Sequence, residues 1–341
     1  MNSQVKNKLS FNIISKYRTI LMGLAILSII FFHYTEDCVN MKYNLKPLIV
    51  NYKMYIGSCG VDIFLFLSGL GLYYSFKKNP DIQSFYKKRL SRVLVPYLFV
   101  AIPAWFFKDI IKLNLGIAQF VKDLLFISFF ESGSKWFWYI FMILVCYLIY
   151  PYIFHYIDSS NSISKMLNIF LFFTIISMMF ELYNPDFFSN INIALLRFPA
   201  FFLGSFIGKE SYYNHPIPVE AGILAVLAFA LLPLKATSKI LLSRYIIGFF
   251  GIVLFVCIAL VLEVLSRKGI KILFLKAIIE WCGNYSLELY LTHVALRSIM
   301  NSVHFPTYRI RYECVLIFLS VLSSFLLKKS SNSIIKKLGI M

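Results

Sequence analysis

Apolar runs long enough to cross a bilayer recur about ten times along this chain, and no other feature restricts its fold as much. A spanning helix needs roughly 20 mostly apolar residues, because the hydrocarbon slab is about 30 Å thick and each helical residue rises about 1.5 Å. The runs cover 20–34, 56–76, 93–107, 136–157, 166–180, 191–208, 217–234, 245–265, 278–300 and 312–327. Backbone polar groups in lipid have no water to bond, so helices must satisfy them internally. The runs are too long and unbroken for the alternating strands of a barrel. The expected fold is therefore all-α: a polytopic membrane helix bundle of about ten transmembrane helices. Arg197 and Pro199 interrupt the sixth run, which is expected to be broken or re-entrant. The stretch 120–130 is apolar but short and flanked by charge, and is expected at the interface.

Composition agrees. Of 341 residues, 59% are apolar and 15% charged, against about a quarter charged in a soluble domain. The net charge of +18 would suit a nucleic-acid partner. Here the cations fall in short clusters between apolar runs, so no nucleic acid is expected. Such clusters mark the cytoplasmic side of a membrane protein. They are Lys6, Lys8, Lys16 and Arg18; Lys77, Lys78, Lys87, Lys88, Arg89 and Arg92; Arg267, Lys268, Lys271 and Lys276; and Lys328, Lys329, Lys336 and Lys337. Ten spans put all four on one side, with both termini cytoplasmic. The expected organisation is a cytoplasmic segment 1–17, a membrane domain 18–327 and a basic cytoplasmic tail 328–341. Lys112, Lys122, Lys235, Lys239, Arg244, Arg309 and Arg311 fall on the other side and soften the bias. The polar, basic stretch before Arg18 does not read as a signal peptide. The expected location is the cell membrane, with lipid as a partner.

The six cysteines form no CxxC and no paired Cys/His spacing, so no metal is expected. Cys146, Cys257 and Cys282 read as small core hydrophobes. Cys38 and Cys59 could meet outside the membrane, although a disulfide is not the favoured reading.

Ionisable groups within membrane helices are costly and mark candidate sites. His33, in IIFFHY, can take a proton from a hydroxyl as a general base; the plainer reading is an interfacial histidine. Asp62, in GVDIFLFLSGLGLYYS, can pair with a buried cation or orient His33. The glycines around it, Gly57, Gly60, Gly69 and Gly71, also suit plain helix packing. Arg89 and Arg92 lie three apart, on one helical face if the stretch is helical, beside Lys88. Guanidinium forks suit phosphate oxygens, although plain positive-inside charge explains them too. Arg197 needs a carboxylate, a carbonyl or a ligand anion. Glu288 shares a face with Thr292 and can pair with Arg197 or hold a sugar hydroxyl; His293 points away from it.

Together these segments resemble the acyltransferase 3 family of bacterial inner-membrane proteins, from about Arg18 to about Leu327. MGLAILSIIFFH, GVDIFLFLSG, RLSRVLVPY and YSLELYLTH carry the resemblance in order, supported by KWFWYIFMILVCYLIYP and RFPAFFLG. The resemblance implies about ten helices, an acyl-CoA donor, most commonly acetyl-CoA, and a carbohydrate acceptor. It implies a catalytic His33 and a basic link at Arg89 and Arg92. The family's first-helix arginine falls on Met22, so this chain departs from the pattern there, and Arg18, one turn below, can reach up to it. The family's extra hydrolase-like domain is not expected, since the sequence closes at Met341.

The expected function is a membrane O-acetyltransferase acting on a cell-surface polysaccharide or its precursor, lipid-linked or free. His33, Asp62 and Glu288 are the catalytic candidates; Arg18, Lys88, Arg89, Arg92 and Arg197 are the candidates for donor binding. A transporter or polymerase-type protein handling lipid-linked sugars without coenzyme A is the alternative. The short outer links and the lack of a repeat between halves count against it.

Overall fold

Helices overrun the apolar stretches that predict them, because polar residues at either end extend a hydrogen-bond ladder already nucleated. In the computed structural model, which describes residues 9–42, 46, 49, 56–159, 162–236, 239–269 and 273–340, helix accounts for 84% and no strand forms among the described residues. Lys6, Lys8 and Lys271 of the basic clusters lie outside the described residues.

The helices are α1 (Asn12–Lys16), α2 (Arg18–Asn40), α3 (Gly60–Lys78), α4 (Ile82–Trp105), α5 (Gly116–Leu124), α6 (Ile127–Glu131), α7 (Trp138–Asp158) and α8 (Ser162–Tyr183). There follow α9 (Pro185–Leu195), α10 (Phe198–Tyr212), α11 (Glu220–Ala230), α12 (Ile240–Arg267), α13 (Leu273–Asn284), α14 (Ser286–Ser302) and α15 (Ile310–Lys337). Eight helical segments among the described residues are long and apolar enough to cross a membrane. The count falls short of ten for identifiable reasons. The seventh expected span ends early, where Pro233 turns α11 into a short 3-10 segment. The ninth divides at Tyr285 into α13 and α14. As expected, the sixth run is broken, into α9 and α10, and the 120–130 stretch forms only the short α5 and α6.

Helix α3 is the central element, with 83% of its span buried. Glycines let it meet α10 backbone to backbone: a Cβ on Gly69 would overlap the Phe201 carbonyl, and one on Gly204 the Phe66 carbonyl. Gly23 and Gly283 bring α2 and α13 together in the same way, against Ile279 and Thr19.

Cations gather at one end of the bundle. Lys16 pairs with Glu263 at 2.6 Å, Lys77 with Asp158 at 2.8 Å, and Lys209 donates to the Ser159 carbonyl at 2.6 Å. Helix α15 continues unbroken through Lys328 to Lys337. Cys38 and Cys59 are both free, which removes the disulfide reading. Each thiol donates instead to a carbonyl, of Tyr308 and Ile56 respectively.

Candidate active site

Two chambers at the basic end share part of their walls. The outer one, about 470 Å³, is walled by Lys88, Arg89 and Arg92 of α4, Glu288 of α14 and Lys328 of α15. The inner one, about 210 Å³, shares Arg89, Arg92 and Glu288 and adds Arg18, Met22, Tyr139 and Tyr147. Helix α4 starts at Asp81, whose carboxylate accepts the Ser84 amide at 2.7 Å. That start makes 82–105 one continuous helix, and its three-residue spacing aims Arg89 and Arg92 into both chambers. Among the described residues neither has a hydrogen-bond or ion-pair partner. Five cations thus face one carboxylate, Glu288, which sits in the field of Lys328 and Arg92.

Arg18 is held by α3. Its Nε donates to the Leu67 carbonyl at 2.9 Å, and its guanidinium occupies the space left by the absent side chain of Gly71. It lines the inner chamber one turn below Met22.

His33 lies eleven residues beyond Met22, about 16 Å further along the α2 axis. Its ring stacks on that of His293, with centroids 5.4 Å apart and planes 5° from parallel. His293 is 1% exposed, and among the described residues neither of its ring nitrogens has a hydrogen-bond partner; the buried Nδ1 of His33 has none either. One turn on, Asp37 of α2 meets Arg297 of α14: Nε to Oδ2 at 3.0 Å and Nη2 to Oδ1 at 2.5 Å. Glu36 also accepts from Arg297 at 3.0 Å, and the Thr307 hydroxyl lies 2.8 Å from Asp37. The two helices therefore run parallel, joined by two rungs of equal spacing.

Helix α14 links this pair to the chambers. It carries Glu288 in the chamber wall and Tyr290 edge-on to Tyr139 at 5.2 Å. His293 follows, about 7.5 Å beyond Glu288 along the axis.

Two expected contacts are corrected. Asp62 does not orient His33; it pairs with Arg197 at 3.2 Å, both residues being buried. Glu288 neither meets Arg197 nor stands level with His33. Arg197 lines neither chamber, and each of its three side-chain nitrogens donates within the protein. Its amide turns back to the Ala194 carbonyl at the break between α9 and α10, leaving the Ile193 carbonyl without its usual helical donor. Nη1 of Arg197 takes that carbonyl at 2.7 Å, Nη2 takes the Ser58 carbonyl at 3.1 Å, and the guanidinium lies over Trp138. A buried charge satisfied in this way is a structural clamp.

Sequence reasoning passed over His293, Asp37 and Arg297. A signal was present: His33 and Asp37 are four apart, as are His293 and Arg297. Only the structure shows that the two helices are neighbours.

A family model described as an acyltransferase domain matches residues 19–329, nearly the whole chain. No curated protein and no solved structure matches it.

Proposed function

The chain belongs to the acyltransferase domain family, and on that premise we propose that this membrane acyltransferase moves an acetyl-type group from a coenzyme A thioester to a hydroxyl of a cell-surface carbohydrate. The observation that carries the reading is the pair of adjacent chambers, whose five cations face Glu288 as their one lining carboxylate among the described residues. A polyphosphate such as the coenzyme A headgroup matches that excess, and forked guanidiniums suit its oxygens. Lys88, Arg89, Arg92 and Lys328 hold the phosphates at the cytoplasmic face. Arg18, where the family pattern has its arginine one turn on, supplies the inner cation. The pantetheine arm passes Tyr139 and Tyr290 towards the histidines.

His33 is the general base. It takes the proton from the acceptor hydroxyl as the oxygen attacks the thioester carbonyl. The carbon–sulfur bond breaks, an ester forms, and the proton passes to the departing thiolate. His293 holds the ring of His33 in place, and the Asp37–Arg297 fork fixes the two helices that present them. With Asp62 and Glu288 away from His33, orientation falls to this stack and not to a carboxylate.

The test uses the purified protein in lipid nanodiscs with acetyl-CoA and a bacterial surface glycan. Saturable acetyl-CoA binding with glycan-dependent release of free thiol is the expected result. Absence of both binding and release overturns the reading.

A further inference from the structure

On the side wall of the bundle, away from the chambers, a groove of about 360 Å³ runs between α8, α10 and α12. Leu167, Phe170 and Leu224 on its rim are exposed, so it opens sideways to lipid. Its lining is apolar except at one end, where Asp62 and Arg244 reach it. Gly248 makes this possible: a Cβ there would stand 3.2 Å from the Asp62 carboxylate, between it and the groove.

The charges at that end do not cancel. Asp62 is paired with Arg197, whose other two nitrogens each donate to a carbonyl. Arg244 is close enough to feel both, yet forms no hydrogen bond or ion pair among the described residues. One positive charge is left over at the mouth of an apolar trough, where a cation without a partner calls for an anion.

Its depth identifies the anion. Asp62 is in the first turn of α3, Arg197 caps α10, and Arg244 is the fifth residue of α12. All three helices start at the end of the bundle opposite the basic chambers, so the site lies near headgroup level, with the positive ends of helix dipoles around it. From there the groove descends past Phe170 and Leu203 to Ile252. Arg244 to Ile252 spans about 12 Å by helical rise, close to one leaflet of a hydrocarbon slab about 30 Å thick.

We propose that this groove binds a membrane lipid with a single phosphodiester charge, its phosphate on Arg244 and one chain laid along Phe170, Leu203 and Ile252. The monoanion balances the surplus charge, and the apolar trough accepts the chain.

The experiment is native mass spectrometry of the detergent-purified protein titrated with dioleoyl phosphatidylglycerol, beside dioleoylglycerol, which has the same chains and no phosphate. One phosphatidylglycerol is expected to stay bound, with dioleoylglycerol retained at least tenfold less. Arg244→Gln is expected to lower phosphatidylglycerol retention about tenfold. Leu203→Trp, which fills the trough and leaves every charge in place, is expected to do the same in a protein of unchanged elution volume. Equal retention of the two lipids, or unchanged phosphatidylglycerol retention in Leu203→Trp, overturns the proposal. A dimer that Leu203→Trp dissociates also overturns it, assigning the groove to a second copy. Binding is read without turnover, so the outcome is independent of the transferase reading.

Discussion

His33 and His293 face each other with parallel rings 5.4 Å apart, and one helical turn beyond them Asp37 and Arg297 close a two-pronged ion pair. The fork fixes the spacing of α2 and α14, and hence the position of His33. Arg297→Lys keeps the charge but loses the planar fork. It is expected to lower kcat about tenfold while the donor KM changes little. Steady-state kinetics separate this from an effect on donor binding. An unchanged kcat would mean that the fork does not position His33.

His293→Ala removes the ring that holds His33 and leaves α14 otherwise intact. Its expected effect is also on kcat, with acetyl-CoA affinity retained. His293→Asn keeps a planar polar group and should recover part of the loss. Equal losses in both variants would point to a chemical rather than a positioning role.

Arg89 and Arg92 line both chambers, where among the described residues five cations face the single carboxylate of Glu288. A hydrogen bond to a charged group is worth about 1.5–3 kcal/mol, so Arg89→Gln or Arg92→Gln should each raise the donor KM roughly ten- to a hundredfold. The effect should shrink at high salt, where exposed charges are screened. Titrating acetyl-CoA at two ionic strengths checks both the size and the trend.

Asp62→Ala leaves the Arg197 guanidinium buried without its carboxylate. Breaking a buried pair from one side costs about 3–5 kcal/mol, so the variant should melt well below the parent in a thermal unfolding assay. Asp62→Ala with Arg197→Met removes both charges and should regain much of that loss. If the single variant melts normally and only activity falls, Asp62 acts in the chemistry and the clamp assignment is wrong.

Much of this was legible in the sequence, and the exceptions have physical causes. Long apolar runs declare themselves, so the helical class and the break at Arg197 and Pro199 could be read directly. The basic face of Arg89 and Arg92 followed from a three-residue spacing. Pairing between distant helices could not be read that way. Asp62 had two plausible partners, His33 and a buried cation, and only the packing of α3 on α10 decides for Arg197. Glu288 looked like a deep carboxylate because its neighbours are apolar; the turn at Tyr285 instead brings it to the chamber wall. His293 was discounted by its angle from Glu288, although its real neighbour is on α2.

The most direct test compares His33→Ala with the parent under single-turnover conditions, both purified in nanodiscs and loaded with radiolabelled acetyl-CoA before glycan is added. General-base catalysis is typically worth about 10²–10⁴ in rate. The account predicts a loss of that order in labelled ester formation, with acetyl-CoA binding preserved. Ester formation at the parent rate by a His33→Ala protein that binds acetyl-CoA normally would contradict it.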